Sequence, residues 1–114
     1  MNTIVTRETL VERLAAATPP LLLEALPEKY YAAKHLPGAR HMPHDAVDAL
    51  ASGLIPSKDS EVVVYCANVQ CHNSHMAARR LNQLGYTNVR VYAGGKQDWE
   101  AGGLPFESTA AVTA

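Results

Sequence analysis

The chain has 114 residues, of which 47% are hydrophobic and 18% are charged. This size and composition are typical of one globular domain with its own core, and they exclude a largely disordered chain. Ten Lys and Arg against eleven Asp and Glu give a net charge of -1 without a basic run, which argues against nucleic acid as a partner.

The sequence predicts a cytoplasmic protein with no membrane partner. The apolar stretch at Leu21 to Leu23 is far shorter than a membrane span, and the start at Met1 lacks the basic and apolar regions of an export signal. Cys66 and Cys71 are therefore expected to be free thiols, because the cytosol keeps thiols reduced. No heptad repeat is present, so we expect a monomer.

The first half of the chain shows helical and strand patterns in alternation. The predicted elements are a helix over Thr6–Ala17, a strand over Leu21–Leu26, a helical turn at Tyr30 and Tyr31, a strand over Arg40–Met42 and a helix over Ala46–Ser52. Thr6 is expected to cap the first helix, and His44 or Asp45 the last.

The second half contains the strongest patterns. Glu61–Tyr65 is predicted as a strand because four of its five residues are β-branched or aromatic. An apolar stripe predicts a helix over Asn73–Leu84, and Gly85 can close it in the left-handed conformation. Val89–Tyr92 is a second strong strand, and a short helix carrying Trp99 follows it.

Alternating strands and helices predict an α/β fold with a small, mostly parallel sheet covered by helices on both faces. We expect a single domain over residues 1–107 and a disordered tail over 108–114. Ligands of such sheets bind outside the carboxyl ends of the strands, and Cys66 lies at the end of the predicted strand Glu61–Tyr65. Cys66 is therefore the first candidate for a functional residue.

The loop after this strand is the candidate binding site. Its residues are Ala67, Asn68, Val69, Gln70, Cys71 and His72. A thiol between a strand end and a helix start is surrounded by backbone N–H groups and faces the positive end of the helix dipole. Both effects predict a lowered pKa for Cys66 and a good nucleophile, in a cradle that also suits a persulfide anion or a phosphate-like oxyanion.

Three segments carry a resemblance to a known family. They are Tyr31–Ala39 with its His-Leu-Pro-Gly-Ala sequence, Val62–Cys66, and Gly94–Trp99 continued by Gly103–Pro105. In this order they resemble the rhodanese family, from its first signature through the strand that delivers the active cysteine to its second signature. The resemblance extends from about Leu21 to Glu107.

The resemblance implies a rhodanese-like fold and a sulfurtransferase. Cys66 would attack the outer sulfur of a small donor such as thiosulfate, or of a persulfide on a small molecule or protein. It would hold that sulfur as a cysteine persulfide and pass it to a thiol acceptor. Backbone N–H groups of residues 67 to 71 would bind the terminal sulfur, and neither a metal nor an organic cofactor is needed.

The sequence departs from the family pattern at two places. Many members have an arginine five residues after the cysteine, where it helps to bind an anionic donor, but this chain has Cys71 there, which puts thiosulfate in doubt as a donor. The family's usual Asp and Arg in the first central strand are Glu24 and Leu26 here. The second departure predicts the loss of one buried ion pair.

Cys71 leaves several alternatives open. It could resolve a modified Cys66 by forming a disulfide, it could be the acceptor cysteine itself, or it could simply be tolerated in the loop. The chain as a whole could be a dithiol redox protein that uses both cysteines, or a catalytically silent module that binds a partner. The spacing of Cys66 and Cys71 with His72 and His75 departs from zinc-site patterns, so no metal is expected.

Overall fold

The computed structural model describes residues 3–109. Within that span five strands alternate with five helices, in the order predicted for an α/β chain. The strands are β1 (Thr3–Ile4), β2 (Leu21–Glu24), β3 (Arg40–His41), β4 (Val62–Tyr65) and β5 (Val89–Tyr92). The helices are α1 (Arg7–Leu14), α2 (Glu28–Ala33), α3 (Val47–Leu54), α4 (Asn73–Gln83) and α5 (Gly95–Ala101).

The strands form one sheet in the order β1-β5-β4-β2-β3, and every neighbouring pair is parallel. Strand β4 is central, with Val62 aligned to Val89 of β5 and to Leu21 of β2. All four residues of β4 are buried, as expected for a parallel strand covered on both faces. The predicted fold class, α/β with a small, mostly parallel sheet, is thereby confirmed.

Two apolar cores lie on opposite faces of the sheet, and successive residues of β4 alternate between them. Val62 and Val64 pack in a core with residues of α3 and α4. Val63 and Tyr65 pack in the other core with residues of α1 and α5. Helices therefore cover both faces, and the carboxyl end of β4 emerges between them.

The ends of two helices follow the predicted capping. The Thr6 side chain accepts a hydrogen bond from the Thr9 N–H at 3.1 Å, which starts α1. Gly85 closes α4 with a φ of +98°, a conformation that glycine adopts without the steric cost of a side chain.

Several predicted bounds are wrong. Helix α1 ends at Leu14 instead of Ala17, since the chain turns there before the two prolines that lead into β2. Strand β2 ends at Glu24 rather than Leu26, and β3 ends at His41 rather than Met42. These short strands end where their neighbours in the sheet stop pairing, which local sequence does not reveal.

The start of α3 is also corrected. Its N-cap is Ala46, without a side-chain hydrogen bond, so neither His44 nor Asp45 caps this helix. Strand β1 was not predicted, because two residues carry too little pattern and the strand exists through its pairing with β5. At the other end, Ser108 and Thr109 both donate to the carbonyl of Ala32, at 2.9 and 3.1 Å.

The remainder of the predicted disordered tail, residues 110–114, lies outside the described residues, as do residues 1–2. No helix in the described span 3–109 is long and apolar enough to cross a membrane.

Candidate active site

Cys66 directly follows β4, and the loop 67–72 connects it to α4. Helix α5 holds the start of this loop through its backbone. The Lys96 N–H donates to the Cys66 carbonyl at 3.0 Å, and the Gln97 N–H donates to the Ala67 carbonyl at 2.9 Å. The strand end that carries the thiol is therefore fixed by the helix of the second signature.

This close approach requires glycine at position 95. Gly95 has a φ of +61°, and a Cβ atom at this position would lie 2.4 Å from the carbonyl oxygen of Cys66. Both the backbone conformation and the contact exclude a side chain without rearrangement. Gly95 thus allows α5 to pack against the active loop.

The Cys66 thiol is enclosed by the loop and the start of α4. Cys66 is 1% exposed, and its Sγ lies 3.3 Å from the carbonyl oxygen of Cys71 and 3.3 Å from Oγ of Ser74. A carbonyl oxygen accepts hydrogen bonds only, so the contact with Cys71 needs the thiol proton. This conformation therefore favours the protonated thiol form of Cys66.

The electrostatics agree with that assignment. Burial raises the pKa of the Cys66 thiol above its ordinary value, the nearby Cys71 side chain raises it further, and the hydrogen bond with Ser74 lowers it. The predicted lowering of the Cys66 pKa is therefore wrong for this conformation. Removal of the thiolate from water outweighs the favourable contacts at the start of α4.

Asn68 occupies two of the backbone donors in the loop. Its Oδ1 accepts hydrogen bonds from the N–H groups of Gln70 and Cys71, at 3.0 and 3.1 Å. The Asn68 carbonyl also accepts from the Cys71 N–H, at 3.1 Å. Two of the N–H groups that were expected to surround a terminal sulfur are thus bonded to Asn68 here.

Cys71 contacts the buried Cys66 thiol through its carbonyl oxygen and is itself partly exposed at the protein surface. Both cysteines are free, but Cys66 is buried whereas Cys71 is partly exposed. The loop tip beside it is open, with Val69 69% exposed. Of the other predicted loop residues, two are half-buried, Ala67 and Asn68, and two are exposed, Gln70 and His72.

The two histidines of this region lie near the start of α4. His72 precedes the helix without a capping hydrogen bond from its side chain, and its ring centroid lies 6.4 Å from that of His75. Across residues 3–109, no group of three or more His, Cys, Asp or Glu side chains is placed to hold a metal ion.

A buried charge network lies beneath the loop. Lys96 Nζ is 2.8 Å from Glu24 Oε2 and donates to the Tyr30 carbonyl at 2.9 Å. The Tyr65 hydroxyl donates to Glu24 Oε1 at 2.7 Å. The predicted loss of a buried ion pair is therefore wrong, because α5 supplies the cation that Leu26 does not.

Ser74 and Lys96 are the site residues that the sequence did not reveal. Ser74 offered a usable signal, since a polar residue in the first turn of a helix after the loop faces the strand end. Lys96 offered none, because its partner Glu24 is distant in the sequence and belongs to another strand.

Two aromatic residues of the first signature, Tyr31 and His35, pack against each other and bind nearby backbone carbonyls. The Tyr31 hydroxyl donates to the Ala39 carbonyl at 2.6 Å, and the ring of His35 stacks on that of Tyr31 with centroids 4.0 Å apart. Nδ1 of His35 also lies 2.8 Å from the Tyr31 carbonyl oxygen. Tyr31 thus ties α2 to the turn that contains Gly38, and His35 packs against Tyr31.

Fold and site together define an α/β domain whose candidate nucleophile is a cysteine at the carboxyl end of the central strand. The family model described as a rhodanese-like domain matches residues 6–102. The chain belongs to the rhodanese-like domain family, which confirms the resemblance found in the sequence.

Two curated proteins are similar to this chain in sequence. The chain is 30% identical over 109 residues to the HTH-type transcriptional regulator Rv0324 of Mycobacterium tuberculosis, covering 95% of this chain and 46% of that protein. It is 28% identical over 89 residues to the adenylyltransferase and sulfurtransferase uba4 of Ogataea parapolymorpha, covering 78% of this chain and 22% of that protein. The chain thus spans less than half the length of these two relatives.

A solved structure matches over nearly its whole length. The human single-domain sulfurtransferase TSTD1 superposes with a TM-score of 0.76 at 25% identity, covering 89% of this chain and 97% of that one.

Proposed function

We propose that this domain is a sulfurtransferase that carries sulfane sulfur as a persulfide on Cys66. The observation that carries the proposal is the position of Cys66, at the carboxyl end of the central strand and at the base of the loop that leads into α4. Membership of the rhodanese-like family supports a sulfurtransferase-type role, as do two relatives that are named sulfurtransferases.

The chemistry needs only thiols. The sulfur of Cys66, as the thiolate, forms a bond to the outer sulfur of a donor R–S–SH, and the bond between the two donor sulfurs breaks. The donor leaves as the thiolate RS⁻ with the electron pair, and the protein holds Cys66–S–SH. A thiol acceptor then takes the outer sulfur in the same way and restores Cys66.

The composition of the loop favours a persulfide over thiosulfate as the donor. Thiosulfate carries two negative charges, and residues 67–72 include neither lysine nor arginine to offset them. An anion that enters this buried site would lose hydration without a paired cation. We therefore assign a low-molecular-weight persulfide or a persulfidated protein as the donor, and a thiol as the acceptor.

The test is intact mass after incubation with glutathione persulfide and, separately, with thiosulfate. The native protein should gain the mass of one sulfur atom from the persulfide and less from thiosulfate. Tandem mass spectrometry of the peptide that contains the loop should place that sulfur on Cys66 at the end of the reaction. The Cys66→Ser variant, which keeps a hydrogen-bonding group near Ser74, is the matched control for Cys66 as the final carrier.

A native protein that gains no sulfur from either donor would contradict the carrier function. The same conclusion would follow if the gained sulfur never reached Cys66.

A further inference from the structure

We propose that Cys71 is the receiving thiol of this site: it takes sulfane sulfur from the donor first and passes it to Cys66. This inference rests on the proposed persulfide chemistry and adds a second catalytic residue to it. It follows from the contrast in exposure between the two cysteines and from the hydrogen bonds that fold the loop over Cys66.

Access to solvent distinguishes the two thiols. Cys66 is 1% exposed, and its sulfur is covered by the Cys71 carbonyl on one side and by Ser74 on another. Cys71 is partly exposed and lies close to the open loop tip at Val69. Because Cys71 is the more exposed of the two residues, a donor reaches it more readily, whereas a direct attack by the buried Cys66 requires the loop to move first.

The loop conformation keeps the two cysteines together. At one end of the loop, α5 binds the carbonyls of Cys66 and Ala67 through backbone hydrogen bonds. At the other end, the Asn68 side chain and carbonyl both bind the Cys71 N–H. The Cys71 carbonyl consequently contacts the Cys66 thiol at 3.3 Å. Cys71 thus lies next to the sulfur atom of Cys66, to which it would transfer the sulfane sulfur.

The protonation of Cys66 argues in the same direction. Its hydrogen bond to the Cys71 carbonyl and its burial both favour the thiol, so Cys66 is a weak nucleophile toward a donor that comes from solvent. Transfer from Cys71 is less affected, because the two sulfurs react within one loop at a high effective concentration. A thiolate of raised pKa is also intrinsically the stronger nucleophile.

The relay balances in two steps. In the first, the Cys71 thiolate bonds to the outer sulfur of R–S–SH, the donor S–S bond breaks, and RS⁻ leaves with the electron pair. In the second, Cys66 bonds to the outer sulfur of Cys71–S–SH, and the S–S bond at Cys71 breaks. The proton of Cys66 passes to the departing sulfur of Cys71, which returns to the thiol. The sulfane sulfur keeps its oxidation state, so neither an oxidant nor a reductant is consumed.

The experiment follows the location of sulfur with time. The native, Cys66→Ser, Cys71→Ser and Cys71→Ala proteins are mixed with glutathione persulfide and quenched with iodoacetamide at successive times. Tandem mass spectrometry then separates modification at residue 66 from modification at residue 71. Thermal unfolding verifies that each variant is folded, and the two Cys71 variants guard against an effect peculiar to one replacement.

The relay predicts a specific order of events. In the native protein, sulfur should appear on Cys71 and then on Cys66. The Cys66→Ser protein should load Cys71 at the native rate and retain the sulfur there. Both Cys71 variants should load Cys66 roughly tenfold more slowly, since the donor must wait for the loop to open.

Other outcomes identify which proposal fails. If both Cys71 variants load Cys66 at the native rate, the relay is overturned while the carrier function stands. If the native protein instead accumulates a disulfide between Cys66 and Cys71, the relay is also overturned, and the dithiol redox alternative replaces it. If the native protein gains no sulfur on either cysteine, the carrier function itself is lost.

Discussion

Lys96 Nζ lies 2.8 Å from Glu24 Oε2, in a pair whose side chains are only 10% and 0% exposed. The carboxylate belongs to β2 and the ammonium group to α5, so the pair crosses from the sheet to the helix that holds the active loop. The backbone N–H of the same lysine donates to the Cys66 carbonyl. The ion pair and the position of the thiol are thus linked through one residue.

Replacing one partner of this pair should be far more costly than replacing both. Lys96→Met leaves the Glu24 carboxylate buried without its cation, so we expect a loss of about 3–5 kcal/mol in the free energy of unfolding. The double variant Glu24→Gln with Lys96→Met removes both charges and keeps an acceptor for the Tyr65 hydroxyl. We expect it to recover most of that loss. Urea unfolding measures the free energy of unfolding of both variants. A Lys96→Met variant that unfolds at the same urea concentration as the native protein would contradict the expectation.

Gly95→Ala should destabilise the protein more than an equivalent change at other glycines. A Cβ at this position meets the Cys66 carbonyl at 2.4 Å in addition to a left-handed φ, so we expect a loss of at least about 2 kcal/mol. Gly38→Ala tests the backbone strain alone, since its φ is +80° with nothing within 4 Å, and should cost about 1–2 kcal/mol.

Gly53→Ala is the second control for that comparison. Gly53 lies in α3 with open space around it, and alanine there should stabilise the helix by up to about 1 kcal/mol. Thermal unfolding of the three variants measures their relative stabilities. An equal loss in Gly95→Ala and Gly38→Ala would mean that the contact with Cys66 carries no energetic weight.

The elements that the sequence predicted well are those whose pattern is local. An apolar run predicts β4, an apolar stripe predicts α4, and the residues of β5 likewise favour a strand. Each of these patterns lies within the element that it predicts. Strand β1 escaped prediction because it exists through its pairing with β5. The ion pair between Glu24 and Lys96 escaped it because only the folded protein brings β2 and α5 together.

The candidate site shows the same division. The position of Cys66 follows from the strand before it and the helix after it, and both were predictable. Its protonation state was not, because it depends on a sum of opposing effects: burial, the Cys71 carbonyl and thiol, and Ser74. The sequence placed the donors around Cys66 but could not show that Asn68 binds two of them.

Stability should fall at alkaline pH. Burial raises the pKa values of Cys66, Tyr65 and Tyr92, so the folded protein keeps protons that the unfolded chain has already released. The stabilising contribution of Cys66 is therefore full below its unfolded pKa of about 8.5 and declines by up to about 1.4 kcal/mol per pH unit above it. The two tyrosines add to the slope above a pH of about 10.

Urea unfolding at a series of pH values measures this slope, and Cys66→Ala is its control. The variant should lose the decline between about pH 8.5 and pH 10 and keep the one above it, where the tyrosines titrate. A slope that is unchanged in Cys66→Ala would show that the Cys66 thiol is not stabilised in its protonated form by folding.

Asn68→Ala should open the loop over Cys66. The change removes the acceptor of the Gln70 and Cys71 N–H groups, which costs the closed conformation about 1–2 kcal/mol and should raise the rate of Cys66 alkylation by roughly tenfold. Asn68→Asp keeps an oxygen acceptor and adds a negative charge. Cys66 in this variant should therefore be alkylated no faster than in the protein that keeps Asn68. Iodoacetamide labelling in a Cys71→Ser background isolates Cys66. Equal acceleration in both variants would contradict the role of Oδ1, because only the alanine variant lacks that acceptor.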